Sequence, residues 1–248
     1  MPVAQPPVRF DGQPNSFLLR RGTCLWRVNH RPYSARSFKP TLAVEPAGGA
    51  RFDGSADDPY SYYYTALDET TALAETLLRN LIPNENGRRL VPRAALAGRQ
   101  LSGLTLTRDL NLVRLITGQD LGAVGQDAWL VTGYGADYEH TRKWGHWLRR
   151  QAKWAHGFVW ESLRNRGGLA VVLFGDRCAV DFGPGYERVL LHEVTELTVD
   201  LDDKAGTTWL REVLKDYRVT VSSPRRHSAG WGTALGGEEA QPPVLDRG

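Results

Sequence analysis

The sequence is short of the residues that mark metal-bound, disulfide-stapled or membrane-spanning proteins. Its 248 residues include two cysteines, Cys24 and Cys178, far apart in the chain. No CxxC or Cys/His spacing suggests a zinc site, and two thiols make no disulfide framework. The six histidines form no HExxH pattern, so no metal is expected. The opening stretch, MPVAQPPVRFDGQPNS, lacks the apolar core of a signal peptide, and no run is long enough to cross a bilayer. A cytoplasmic protein with no membrane partner is the expectation. Gly133-Tyr134-Gly135 and Gly183-Pro184-Gly185 lack a following Gly-Lys-Ser/Thr or a βαβ setting, so neither is a phosphate loop or a dinucleotide fingerprint. There is no GxSxG elbow, which argues against a serine nucleophile. A net charge of +3 shows no strong excess of one sign. It neither demands nor excludes a polyanionic partner, because nucleic-acid binders concentrate charge on one face.

What is present is ordinary globular composition, 41% hydrophobic and 24% charged, enough for one sizeable core. Residues 1–19 read as a flexible N-terminal arm, 20–200 as the folded domain and 201–222 as a helical C-terminal extension. Residues 223–248 have few large apolar groups with which to offset the entropy of ordering, and read as a disordered tail.

Alternation and composition predict strands at Thr23–Asn29, Tyr60–Leu67, Leu101–Thr107, Leu110–Ile116, Gly157–Ser162 and Leu169–Phe174, with another strand or pair in 186–200. Helices are predicted over Glu69–Asn80, with Asp68 as N-cap and Pro83 beyond its end, over Asp137–Lys153, and over 207–217. Strands outnumber helices and do not alternate with them regularly, which predicts α+β rather than a doubly wound parallel sheet. In the helix 137–153, Trp144, Trp147, Leu148 and Gln151 share one side, with Arg142, Lys143, His146, Arg149, Arg150 and Lys153 around the remainder. The spacing places the tryptophans in the core and the charges in water. The alternative is a nucleic-acid-binding helix whose basic groups, with Arg225-Arg226 of the tail, track phosphates while aromatics stack on bases.

Three segments carry groups suited to chemistry. Arg27 interrupts the apolar strand Leu25-Trp26-Arg27-Val28; buried, it would need an anion, and on a solvent-facing strand it would not. Arg51 follows the turn Gly48-Gly49, from which a guanidinium can reach a phosphate bidentately. Tyr64 offers a flat face for a nicotinamide or adenine ring, while Tyr62 and Tyr63 are assigned to the core. Glu75 lies among apolar Ala72, Leu73, Ala74 and Leu78, where a half-buried carboxylate could bond ribose hydroxyls and stabilise developing positive charge. Ser162 and Arg164 close one strand and open a loop, Ser162 reading as a hydrogen-bonding ligand.

In order along the chain, Trp26-Arg27-Val28, Gly48-Gly49-Ala50-Arg51-Phe52, Tyr64-Thr65-Ala66 through Ala72 to Glu75, Arg142-Lys143-Trp144, Gly157-Phe158-Val159-Trp160-Glu161-Ser162-Leu163-Arg164 and Leu169–Phe174 resemble the RES family, named for an arginine, a glutamate and a serine. Trp160 stands where a tyrosine is common, and the sequence beyond about residue 200 is outside the pattern. The resemblance implies an ADP-ribosyltransferase-like fold of mixed or antiparallel sheets with flanking helices. It implies NAD as substrate, cleaved at the nicotinamide–ribose bond, in a toxin neutralised by a helix-turn-helix (Xre-type) antitoxin. Carried onto this chain, it makes Glu75, Arg27 and Tyr64 catalytic, with Arg27 and Arg51 on the pyrophosphate, Tyr64 near the nicotinamide, and Ser162 and Arg164 completing the ligand contacts. Hydrolysis, phosphorolysis with inorganic phosphate, and ADP-ribosylation of a macromolecule all remain open.

Overall fold

The computed structural model describes residues 5–44, 48–133 and 135–222. Ten strands are formed: β1 (Ser16–Leu19), β2 (Cys24–His30), β3 (Tyr62–Ala66), β4 (Arg89–Val91), β5 (Arg99–Leu106), β6 (Leu110–Leu115), β7 (Gly157–Glu161), β8 (Leu169–Phe174), β9 (Leu191–Asp200) and β10 (Val219–Val221). The helices are α1 (Glu69–Leu77), α2 (Gly118–Ala123), α3 (Trp129–Thr132), α4 (Tyr138–Gln151), α5 (Gly175–Phe182), α6 (Tyr186–Leu190) and α7 (Lys204–Val213). Eight strands make one sheet in the order β1-β6-β7-β8-β3-β2-β5-β9, and β10 pairs with β4 in a separate ribbon. Within the large sheet β6 and β7 run parallel and the other neighbours antiparallel. The α+β class expected from the sequence is therefore the class found.

Strand alternation divides the core into layers, because successive side chains point to opposite faces. Tyr62 packs with Phe52, Trp144, Trp147, Phe158 and Trp160 on the face covered by α3 and α4. Tyr63 packs on the other face with Leu25, Leu104, Val159 and Leu173. A third cluster joins Leu73, Leu77 and Leu78 at α1 to Leu210, Leu214, Val219 and Val221 of the C-terminal extension.

α1 starts where its cap predicts: the Asp68 carboxylate accepts the Thr71 N–H at 2.7 Å, satisfying one of the unpaired donors of the first turn. The structure alters several other expectations. Ser16–Leu19, the end of the expected N-terminal arm, forms the edge strand β1 against β6, because Leu19 there reaches the apolar core. Residues 186–200 form α6 followed by one long strand, β9. The tail expected over 223–248 lies outside the described residues.

The largest correction concerns α4. Its tryptophans are buried as expected, but so are Arg142, His146 and Arg149. Arg142 Nη1 donates to the carbonyls of Gly48 and Ala50 at 2.9 and 3.2 Å. His146 Nε2 lies 3.1 Å from the Asp53 carbonyl, and the Thr141 hydroxyl donates to the Arg51 carbonyl at 3.2 Å. Thr141, Arg142 and His146 grip the segment 48–53, and Arg149 pairs with Asp58 and Asp176. Arg150 and Lys153 face water as expected, and Gln151, expected beside the tryptophans, is exposed with them. Helical period identifies a side, but only the neighbouring chain decides whether that side meets solvent.

Candidate active site

Where α1, β2, β3 and the segment 48–53 meet, a cleft of about 520 Å³ opens, a volume usual for a small-molecule site. It brings together Arg27, Arg51, Tyr64, Glu75 and Arg164, five of the six residues singled out from the sequence. Ser162, the sixth, is fully buried and does not line it.

Ser162 lies behind the carboxylate. Its hydroxyl donates to Glu75 Oε1 at 2.5 Å and accepts the N–H groups of Arg164 and Asn165 at 3.1 and 3.0 Å. With both functions of the hydroxyl engaged, Ser162 fixes the rotamer of Glu75 and has no free face for a ligand. Glu75 itself is half-buried on α1, with Ala72 one turn earlier also at the cleft.

Arg51 is held on the opposite side. The preceding Gly49 has φ +77°, and a Cβ there would stand 2.9 Å from both Ala43 Cβ and Asp53 Oδ2, so glycine is required by conformation and by space. Asp53 Oδ2 accepts the Ala50 N–H at 2.8 Å and closes the turn. The Arg51 side chain is 9% exposed. Its Nη2 donates to the Gly133 carbonyl at 2.8 Å, while its buried Nε has no partner among the described residues. Burial pulls its pKa down, and Tyr138, Tyr64 and Glu75 offset this only in part. A guanidinium so enclosed, with one N–H unmet, is suited to an anionic oxygen arriving from the cleft.

Arg27 is half-buried, neither fully enclosed nor on an open face. Its Nη1 donates to the carbonyls of Ala35 and Ser37 at 3.2 and 2.6 Å, and its guanidinium lies 4.3 Å from the centre of the Tyr63 ring. Tyr64 receives the Phe52 N–H on its hydroxyl at 2.9 Å and meets Tyr62 and Trp160 edge-on. Burial first, then the nearby Asp53 charge, push the Tyr64 pKa well above its ordinary value, so the phenol stays neutral. Tyr62, assigned to the core by the sequence, is buried and also reaches the cleft, because it shares the Tyr64 face of β3.

Arg79, Tyr138 and Trp160 were not singled out from the sequence, yet all line the cleft. Arg79 donates to the Tyr138 hydroxyl. Burial opposes its charge, but Tyr138, Tyr64 and Glu75 more than restore it, and its pKa is raised. The helix expected over Glu69–Asn80 would have put Arg79 on the Glu75 face four residues on, but α1 ends at Leu77 and Arg79 reaches the cleft from the turn that follows. Tyr138 and Trp160 carry no comparable local signal. Counting the lining residues, Arg27, Lys39, Arg51, Arg79, Arg99 and Arg164 face two carboxylates, Asp53 and Glu75. The cleft is therefore cationic around one half-buried acid. Among the described residues no group of three or more His, Cys, Asp or Glu is placed to hold a metal ion. No helix there is long and apolar enough to cross a membrane.

These features define a cationic small-molecule cleft built on an α+β frame. The chain belongs to the RES-domain family, whose model matches residues 24–188. Among solved structures, the crystal structure of the M. tuberculosis MbcT–MbcA toxin–antitoxin complex aligns at 14% identity with a TM-score of 0.48, covering 81% of this chain and 91% of that one. No curated protein matches.

Proposed function

We propose that this protein is an NAD-consuming enzyme of RES type that breaks the nicotinamide–ribose bond, acting in the cytoplasm as the toxin of a bacterial toxin–antitoxin pair with a helix-turn-helix partner. The observation that carries the reading is a half-buried carboxylate, Glu75, held by a buried serine in a cleft lined by Arg51 and five further cationic side chains. RES-family membership supports both the substrate and the biological setting.

The nicotinamide ring nitrogen of NAD is already cationic, so the bond can break with its electron pair passing to the ring and without protonation of the leaving group. Positive charge then develops on the ribose at C1′ and its ring oxygen. Glu75, fixed before the reaction begins, stabilises that charge at no cost of reorganisation. Arg51 and Arg27, both at the cleft wall, take the pyrophosphate oxygens. Tyr64 presents a neutral aromatic surface near the nicotinamide, its hydroxyl tied to Phe52. Arg164 adds a further cation at the rim. Ser162 orients the carboxylate and does not touch the dinucleotide. Holding the substrate bent and in register supplies the remaining advantage.

Capture of the ribosyl cation by water, with loss of a proton, gives ADP-ribose. Capture by inorganic phosphate gives ADP-ribose 1-phosphate, and a macromolecular nucleophile gives an ADP-ribosylated product. Incubating the purified protein with NAD, with and without phosphate, and resolving the products by chromatography and mass tests the reading. Nicotinamide release is expected, and the second product names the acceptor. Intact NAD in both incubations, with the protein demonstrably folded, overturns it in its simple form.

A further inference from the structure

The loop that holds Glu75 is anchored from outside the RES domain. Tyr217 belongs to the 3-10 turn Lys215–Tyr217 of the C-terminal extension, beyond the matched residues 24–188. Its hydroxyl donates to Asn165 Oδ1 at 2.5 Å. Asn165 in turn gives its backbone N–H to Ser162 Oγ at 3.0 Å, and Ser162 donates to Glu75 Oε1. The amide of the same Asn165 donates through Nδ2 to Thr71 Oγ1 at 2.7 Å. Thr71 closes the first turn of α1, its hydroxyl donating to the capping Asp68 at 2.6 Å. One asparagine thus joins the extension, the serine loop and the first turn of the helix that carries Glu75.

Thr71 and Asp68 decide which way that asparagine points, and the phenol holds its other end. An amide side chain has one accepting and one donating end, of nearly the same shape. Thr71 Oγ1, its proton already given to Asp68, accepts the NH2 group, which leaves the Asn165 oxygen to accept from Tyr217. Phenylalanine in its place removes the donor that meets this oxygen, so the amide is held from the Thr71 and Asp68 side alone. Tyr217 is itself well fixed. Its carbonyl accepts Arg89 Nη1 at 3.0 Å, and its ring packs on the cluster that joins Leu210, Leu214 and Val219 to Leu73 and Leu77. β10, just beyond it, pairs with β4 along three residues.

We infer that Tyr217 is a positioning residue for the Glu75 carboxylate, acting through Asn165 and the Ser162 loop, so that the extension outside the RES domain forms part of the active-site support. The kinetic arm of its test rests on the NAD-cleaving reading; the exchange arm does not.

The test is Tyr217→Phe in the full chain, which keeps the ring in its core and deletes one donor. Expected are a kcat for NAD cleavage about tenfold lower with KM within about twofold, on the scale of one displaced hydrogen bond at a preorganised site. The melting temperature should stay within about 4 °C of wild type. Hydrogen exchange at the Arg164 and Asn165 amides, both bonded to Ser162 in the wild type, should quicken while the amides of α4 exchange as before. An unchanged kcat, or an effect confined to KM, overturns the inference. If wild type leaves NAD intact, the NAD reading is what fails. Exchange alone then decides the coupling: faster exchange confined to the 162–168 loop supports it, and unchanged exchange overturns it.

Discussion

Arg51 and Arg149 are both buried beside the same layer of aromatic side chains, and the protein treats them differently. Arg149, 3% exposed, donates Nε to Asp58 at 2.9 Å and Nη2 to Asp176 at 2.8 Å, with the Tyr60 and Phe174 rings 3.6 and 4.3 Å from its guanidinium carbon. Burial works against its charge, but Asp176 and its other partners outweigh this and its pKa is raised. Among the described residues Arg51 meets one carbonyl and its Nε has no partner, and burial lowers its pKa. A buried charge whose partners are complete holds the structure together. One whose partners are incomplete marks where a ligand completes them, and the cleft opens beside Arg51 alone of the two.

The comparison can be sharpened or broken by substitution. The largest effect is expected at the group the cleft is built around. Glu75→Gln should lower NAD turnover by about two orders of magnitude or more, the scale on which preorganised electrostatic groups act, with circular dichroism unchanged. Undiminished turnover would remove Glu75 from the chemistry. Arg149→Met should cost about 1–2 kcal/mol in urea unfolding, because it leaves the part-exposed Asp58 and Asp176 without their shared cation, while kcat per folded molecule stays at the wild-type value. Arg51→Met should do the reverse. KM for NAD is expected to rise about tenfold, one lost charge-assisted hydrogen bond, with unfolding free energy within about 0.5 kcal/mol of wild type. Equal destabilisation by the two arginine substitutions would erase the distinction between them. The smallest effect separates orienting from binding. Ser162→Ala should lower kcat about fivefold to tenfold with KM unchanged; a rise in KM instead would return Ser162 to the ligand contacts the sequence suggested.

Much of the site was legible because its residues sit on elements with strong local signals. Asp68 caps α1, so the register of Glu75 on that helix follows from sequence, while Arg79 lies past the helix end at Leu77. Tyr64 was singled out as a ring platform and Tyr62 and Tyr63 were assigned to the core together, but strand alternation puts Tyr62 beside Tyr64 at the cleft and Tyr63 on the other face. Gly48-Gly49 before Arg51 marked a turn that a larger residue could not form. Tyr138 and Trp160 were not legible as site residues, because an aromatic on a helix or strand reads the same whether it fills a core or lines a cleft. Nor was the burial of Arg142, His146 and Arg149, which depends on a segment some ninety residues away in sequence.

The sequence by itself therefore determined the class of fold, the principal elements and five of the residues that meet in the cleft, since caps, turns and hydrophobic periods are properties of neighbouring residues. Tertiary structure alone decided that Ser162 stands behind Glu75, that Arg149 meets two carboxylates and Arg51 a carbonyl, and that Tyr217 reaches the serine loop. Each of these depends on which distant donor or acceptor ends within about 3 Å of a given atom, and spacing along the chain does not encode that distance.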